Sequence, residues 1–349
     1  MKVLHLVPDS AVDPLHLYLG STKDTRGRTE YFRARGIAFD EVPVNGRSDA
    51  WLLQKLQDID LSQYTAAILE LTIYARSLGF LRKQFPQLRT LSRSINAEFY
   101  HRLHYFIASI PYLKSPRAAK RSLSALRSSL TRLWLEYLCA RRSDYVLSIS
   151  RWDKDNYFRY FASASKVKNV PYFMPSTYGE LIPPAAEKKH QCVCLMSTSL
   201  NDTLLDAAKG FAELVGGLGQ QCPEWNFAIT GDLPADKLSL PERVKPTGFL
   251  DSPFTLLAES RAVALLSDYG FGFKTKVLDA IQCRCYVLVT RKLYHRLPVE
   301  VQPYCIVVEK NVDSFKGALG KCLQRFPDGN PNDVLRSQAF AALDELLLS

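Results

Sequence analysis

At 349 residues the chain is long for one hydrophobic core and natural for two, and its 47% hydrophobic and 23% charged residues exclude a disordered protein. The opening apolar run is broken by Pro8 and Asp9, and no later stretch reaches spanning length. Neither a signal peptide nor a membrane span is expected, and the chain is expected to stay in the cytoplasm unless something docks it elsewhere. The net charge of +10 is uneven: residues 1–175 carry 27 Lys+Arg against 15 Asp+Glu, or +12, and the remainder 18 against 20, or −2. The first half therefore suits an anionic partner, whether nucleic acid, phospholipid headgroups or a phosphate-bearing substrate.

In chain order, residues 1–8 read as a buried strand, Thr29–Arg35 as helix, Ile37–Val44 as strand and Ala50–Gln57 as helix. Ala66–Leu71 and Leu88–Ser94 follow as strands. A long helical region from about Asn96 to Arg142 precedes a strand at Tyr145–Ile149, and Ser150 with Asp153 resembles a helix-capping pair. The stretch Val170–Pro184 holds four prolines and reads as the linker between two domains. A second series then begins: strand Cys192–Thr198, helix Asp202–Leu218, and strands at Asn226–Ile229, Val244–Gly248 and Ala262–Leu266. Helix Lys274–Gln282 and strands Tyr286–Thr290 and Cys305–Val308 complete it. Apolar strands alternating with helices predict parallel sheets covered on both faces, here in two tandem doubly wound domains.

Eight cysteines raise the question of a metal site or a disulfide framework. Cys192 and Cys194, like Cys283 and Cys285, are two residues apart, which on a strand points them to opposite faces. Reduced, mostly buried thiols are expected, with no metal.

The most informative string is Ser267-Asp268-Tyr269-Gly270-Phe271-Gly272-Phe273-Lys274-Thr275-Lys276-Val277-Leu278-Asp279-Ala280. Gly270 and Gly272 let a backbone turn approach a ligand closely. Lys274, Lys276 and the N–H groups opening the next helix suit a diphosphate. Asp279, one turn into that helix, is placed to accept from ribose hydroxyls. A lone loop of this kind also merely connects strands to helices.

The order of landmarks, however, resembles the C-terminal domain of the large retaining GT-B glycosyltransferase family (family 4-like), which includes sucrose and trehalose-type synthases and many lipopolysaccharide and capsule transferases. The matched landmarks are Met196–Asn201 with Ser199, Ala228–Gly231, and Thr247-Gly248-Phe249-Leu250-Asp251. The loop GFGFKTKVLDA follows, and the resemblance covers about residues 190–310. It implies two Rossmann-like domains facing a cleft, with 1–175 binding an acceptor and 176–335 a nucleotide-sugar donor. Residues 336–349 would form a last helix able to pack back across the junction. It implies donor binding by Ser199, Gly231, Gly248, Phe249, Gly270, Gly272, Lys274, Lys276 and Asp279. Transfer with retention and without a metal or other cofactor is implied as well, the nucleotide-sugar serving as co-substrate.

In the first half, Arg93-Ser94-Ile95-Asn96-Ala97-Glu98 resembles a family segment facing the donor sugar. Asn96 and Glu98, with Lys274, are the catalytic candidates the resemblance gives; Ile95 stands where the family has histidine. His101 and His104 are weaker candidates. Gly20–Tyr31 stands where the resemblance implies a flexible loop between acceptor and donor; its Lys23, Arg26 and Arg28, together with Arg93, suit the phosphate or carboxylate of an acceptor, and the alternative is a solvated loop with scattered charge. Lys114–Arg142 holds eight basic residues, one acid and leucines at near-helical spacing. Such a helix either lies on an anionic membrane or packs a core face beneath a solvated basic one. No zinc-finger or RNA-binding motif accompanies it, so nucleic acid is not expected. The reading is a glycosyltransferase acting on a saccharide or lipid-linked acceptor. Its rivals are a nucleotide-sugar epimerase and a catalytically silent binding or scaffold protein of the same fold.

Overall fold

The computed structural model describes residues 1–13, 16–44, 48–110, 116–184, 186–196, 202–232, 238–268 and 272–349. The first half runs β1 (Lys2–Val7), α1 (Gly20–Ala34), β2 (Ala38–Pro43), α2 (Asp49–Gln57), β3 (Ala66–Leu69), α3 (Ala75–Gln84) and β4 (Arg89–Ser94). It continues with α4 (Glu98–Ser109), α5 (Pro116–Arg142), β5 (Tyr145–Ser148), α6 (Arg151–Asn156) and β6 (Val167–Asn169). All six strands are parallel, in the order β2-β1-β3-β4-β5-β6. β1 is buried from Val3 to Val7 because it has neighbours on both edges, Val3 lying opposite both Phe39 and Ala66.

After the short α7 (Ser176–Gly179), the second half runs β7 (Lys189–Cys194), α8 (Asp202–Leu218), β8 (Asn226–Thr230), β9 (Val244–Gly248), α9 (Phe254–Glu259) and β10 (Ser260–Leu265). Then come α10 (Lys276–Gln282), β11 (Tyr286–Val289), α11 (Arg291–Tyr294), β12 (Cys305–Val307), α12 (Val312–Lys321) and α13 (Pro331–Leu347). This sheet is also parallel, in the order β12-β11-β10-β7-β8-β9. The order reverses direction between β7 and β10, and such a switch point opens a crevice at the carboxyl ends of the strands. The chain is thus α/β, with two doubly wound sheets in tandem.

Most boundaries fall within two or three residues of those read from the sequence, and the differences have physical causes. Gly20–Tyr31, expected as a flexible loop, is the first three turns of α1. Its polarity hides burial: Lys23, Asp24 and Arg28 are all buried. The expected helix from Asn96 to Arg142 is two helices, α4 and α5, packed against each other. α10 starts at Lys276 instead of Lys274, which leaves Lys274 in the preceding loop. The expected cap is present, with Asp153 N–H donating to Ser150 Oγ at 3.0 Å. All eight cysteines are free thiols, six of them buried.

α13 lies against the first half. Tyr31 donates to Asp344 at 3.0 Å, Arg35 pairs with the same carboxylate at 2.7 Å, and Arg89 donates to the carbonyl of Leu346. At its start, Asn332 bridges the backbone N–H (2.6 Å) and carbonyl (2.9 Å) of Met174. Among the described residues no helix is long and apolar enough to cross a membrane.

Candidate functional site

At the switch point of the second sheet, two lysines face the strand ends. Lys276 donates to the carbonyl of Leu195, just beyond β7, at 2.9 Å. Lys274 is half-buried in the loop before α10. Desolvation, then the nearby Arg296 and Lys276, pull its ammonium down to about 8; Lys276 is likewise pulled to about 8, chiefly by desolvation. An ammonium so disfavoured gains most when an anion arrives.

The neighbouring strand ends are tied together. Thr230 Oγ1 accepts from Met196 N–H at 2.9 Å and donates to its carbonyl at 3.1 Å, and Gly231 N–H donates to Gly248 O at 2.8 Å. Beside them Phe249 leaves 58% of its surface exposed. Ser199 and Gly270, both expected in this site, lie outside the described residues, as does Phe271.

The first half closes on this loop through the turn between β4 and α4. Gly272 has φ +73° and sits so close that a Cβ would lie 2.4 Å from both Asn96 Oδ1 and the carbonyl of Ile95. Only glycine meets both demands. Asn96 donates in turn to Glu98 Oε1 at 3.1 Å, and Glu98 pairs with Arg102 at 3.7 Å. The turn is fixed from below by Glu136 of α5, whose two carboxylate oxygens accept from the N–H groups of Glu98 and Phe99, each at 3.0 Å. Tyr157 donates to the same carboxylate at 2.6 Å, and burial pushes the Glu136 carboxyl up to about 8. His101 and His104, farther along α4, are pulled down to about 4 by desolvation, with Lys274 among the charges acting on both. Asn96, Glu98, His101 and Lys274 therefore share one region between the halves.

The cations expected for an acceptor are placed differently. Lys23 is buried and donates to both carboxylate oxygens of Asp279 at 2.7 Å, joining α1 to α10. Its ammonium also lies 5.5–5.7 Å from the rings of Tyr18, Tyr178 and Phe254. Arg93 is buried and grips Asp24 with two bonds, of 2.9 and 2.6 Å. Arg28 bridges Asp24 and Glu70, and Glu70 continues to His5 at 2.5 Å. These pairs hold Asp24 down at about 2 despite burial. Arg26 is half-buried. Lys23, Arg28 and Arg93 are thus engaged inside the protein instead of lining a loop. Asp279, read as a ribose acceptor, has both oxygens occupied by Lys23.

No known family profile matches the chain, and no curated protein sequence does. Solved structures do match, over nearly its whole length. HepE of Anabaena, seen in complex with UDP, is 14% identical with a TM-score of 0.54, covering 99% of this chain and 95% of that one. Sucrose-phosphate synthase of Thermosynechococcus elongatus is 14% identical with a TM-score of 0.59, covering 99% and 94%. The lipopolysaccharide outer core galactosyltransferase WaaB, in its apo form, is 13% identical with a TM-score of 0.57, covering 100% and 99%.

The chain has the GT-B fold. In this GT-B protein the turn after β4 and the loop after β10 meet at the Gly272–Asn96 approach.

Sequence reasoning missed Asp24, Glu70 and Glu136, and read Asp153 only as a capping partner. Asp24 and Arg28 are four apart on α1, a spacing that could have suggested their pairing. Glu70 and Glu136 offer no local signal, because their partners are distant in the chain. Asp153 is fully buried; burial raises its carboxyl to about 6, against the pull of Ser150, Arg296 and the Gly272 backbone.

Proposed function

We propose that this protein is a glycosyltransferase that takes a sugar from a nucleotide-sugar donor and passes it to a saccharide or lipid-linked acceptor, with retention and without a metal. The observation that carries the reading is the pair Lys274 and Lys276 at the switch point of a second sheet whose fold matches nucleotide-binding GT-B structures end to end. The diphosphate sits against these lysines and the loop containing Gly270 and Gly272. Ser199, Gly231 and Gly248 flank it, and the base lies on Phe249. As the glycosidic bond breaks, negative charge grows on the leaving diphosphate, and a fixed ammonium there stabilises it without reorganisation. Asn96 and Glu98 face the donor sugar from the first half. Contact between the halves excludes the water that would otherwise hydrolyse the donor.

A lipid-linked acceptor at an anionic membrane surface is supported by one face of α5. On α5 the exposed Leu123 (66%), Leu130 (56%) and Trp134 (59%) lie seven and four residues apart, hence on one helical face. They stand amid the basic excess of the first half, which suits phospholipid headgroups.

A second reading, a GT-B protein that binds without transferring, draws support from Ile95 in the β4–α4 turn and from the occupation of Asp279 by Lys23. Calorimetry with UDP, GDP, CMP and ADP tests the first reading. One nucleotide should bind, and the Lys274→Ala/Lys276→Ala double variant should lose it. Equal affinity in the variant removes the site. Binding without donor turnover, in the presence of saccharide acceptors on anionic vesicles, selects the second reading.

A further inference from the structure

The amino ends of β7, β10 and β11 lie at the opposite end of the second sheet from the loop that holds Lys274. About 13 Å of strand separates Arg261, near the start of β10, from Leu265 at its end. A cavity of about 370 Å³ opens at these amino ends, walled by Lys188, Arg261, Arg284, Tyr286 and residues that follow α12. No carboxylate is among its described lining residues.

Three cations here lack a counter-charge. Lys188, one residue before β7, gives its ammonium to the carbonyls of Leu257, Ser260 and Cys283. Its donors are spent, yet no carboxylate among the described residues lies within ion-pair distance of it. Arg261 has neither a hydrogen bond nor an ion pair among the described residues. Its Nε is enclosed and unpartnered; its two terminal nitrogens are neither enclosed nor bonded, and are left to the cavity. Arg284 sits in the turn between α10 and β11 at φ +57°, a region that favours glycine. Its guanidinium rests on the ring of Phe326 at 5.3 Å, with no carboxylate paired to it among the described residues. Arg325 counts for little, being exposed and already paired with Asp328 at 2.8 Å.

An anion between the two guanidinium groups would supply the missing charge through charge-assisted hydrogen bonds. The ring of Phe326 is covered by Arg284 and packed against Tyr286 and Tyr304, so it offers no free face to a nucleobase. The volume lies near the lower end of the roughly 300–1,000 Å³ of small-molecule pockets, which leaves room for a phosphate and a small polar body.

We infer that this cavity binds a small phosphate monoester, with its phosphate between Arg261 and Arg284 and in the field of Lys188. The site is separate from Lys274 and Lys276, and the inference does not depend on the transferase reading.

Calorimetry with glycerol 3-phosphate on the full chain tests it. The ester should bind, and Arg261→Gln should weaken it about tenfold or more, as for a lost charge-assisted bond. Arg284→Gly separates binding from structure: glycine relieves the positive φ, so the melting temperature should not fall while the affinity does. Lys274→Ala/Lys276→Ala should bind the ester as the unmodified protein does. Vesicles containing phosphatidic acid, whose headgroup is a monoester, form the second arm. Weaker flotation of Arg261→Gln than of the unmodified protein, with no response to the soluble ester, puts the monoester on a lipid. Absence of binding to both probes, or equal affinity in Arg261→Gln and Arg284→Gly, overturns the inference. So does loss of the ester in the Lys274→Ala/Lys276→Ala variant alone, which would place the phosphate in the loop before α10.

Discussion

Lys23 and Asp279 are 256 residues apart in sequence, yet the ammonium of the first lies 2.7 Å from both carboxylate oxygens of the second, with each side chain buried. The pair fastens α1 of the first half to α10 of the second. Breaking a buried pair by removing one partner strands a charge and costs about 3–5 kcal/mol, whereas removing both is nearly neutral. Lys23→Met and Asp279→Asn should each destabilise strongly, and Lys23→Met/Asp279→Leu should recover most of the loss in a denaturant-unfolding cycle. Titration with the nucleotide that calorimetry selects separates the pairing role from a ribose role. If Asp279 also binds ribose, Asp279→Asn weakens that nucleotide by about tenfold to a hundredfold and Lys23→Met does not.

Donor affinity should depend on pH through Lys274 and Lys276. Both ammonium groups are pulled down to about 8, so both are charged below that value and lose charge as pH rises through it. Affinity for the nucleotide that calorimetry selects is therefore expected to hold up to about pH 7.5. Above 8 it should fall by up to about tenfold per pH unit for each lysine deprotonated. Lys274→Arg should move the decline upward, because guanidinium stays charged. A flat profile to pH 9.5 would place the diphosphate elsewhere.

Gly272→Ala should separate the halves locally. The added carbon meets a backbone carbonyl and Asn96 at 2.4 Å, and φ +73° is strained for alanine. A loss of about 1–3 kcal/mol in stability is expected, with reduced turnover because the β4–α4 turn no longer seats on the loop. Melting curves and donor turnover measured on one preparation check both.

His5 is held between Glu70 at 2.5 Å and Glu41 at 3.4 Å, and these carboxylates raise its imidazole in spite of burial. A raised folded value adds stability that is complete below the unfolded value of about 6.5 and is lost as pH climbs through the folded one. The contribution of His5 should therefore fade as pH rises above about 6.5, so the stability difference between the protein and His5→Asn should shrink with rising pH in urea melts at pH 6 through 9.

Attachment to anionic membranes should be weak and salt-sensitive. Vesicles containing phosphatidylserine should carry the protein in flotation at low salt and release it as screening increases. Leu123→Ser/Leu130→Ser/Trp134→Ser, all exposed positions on α5, should abolish flotation without lowering the melting temperature. Flotation that survives this variant would remove the α5 face as the contact.

The mostly apolar runs of β1 and β11, the apolar end of β7 and the glycine-lysine loop before α10 were legible in the sequence because each is a local property. A strand with neighbours on both edges is mostly apolar where it is covered, and a close turn favours glycine. Two parallel α/β layers followed from that pattern alone. α1 was not legible. Gly20-Ser21-Thr22-Lys23-Asp24-Thr25-Arg26-Gly27-Arg28 has the composition of a solvated loop, and nothing local reveals that Lys23, Asp24 and Arg28 are buried. What makes their burial tolerable is the arrival of Asp279, Arg93 and Glu70 from three other elements, and a charge can leave water only where its partner is already in place. The roles of those cations were therefore decided by the tertiary structure, as were the cap that Glu136 places on α4 and the seating of Gly272 on Asn96. Sequence determines which segments must be hidden. Only the folded chain determines which polar groups are hidden with them, because their energy depends on partners that sequence spacing does not reveal.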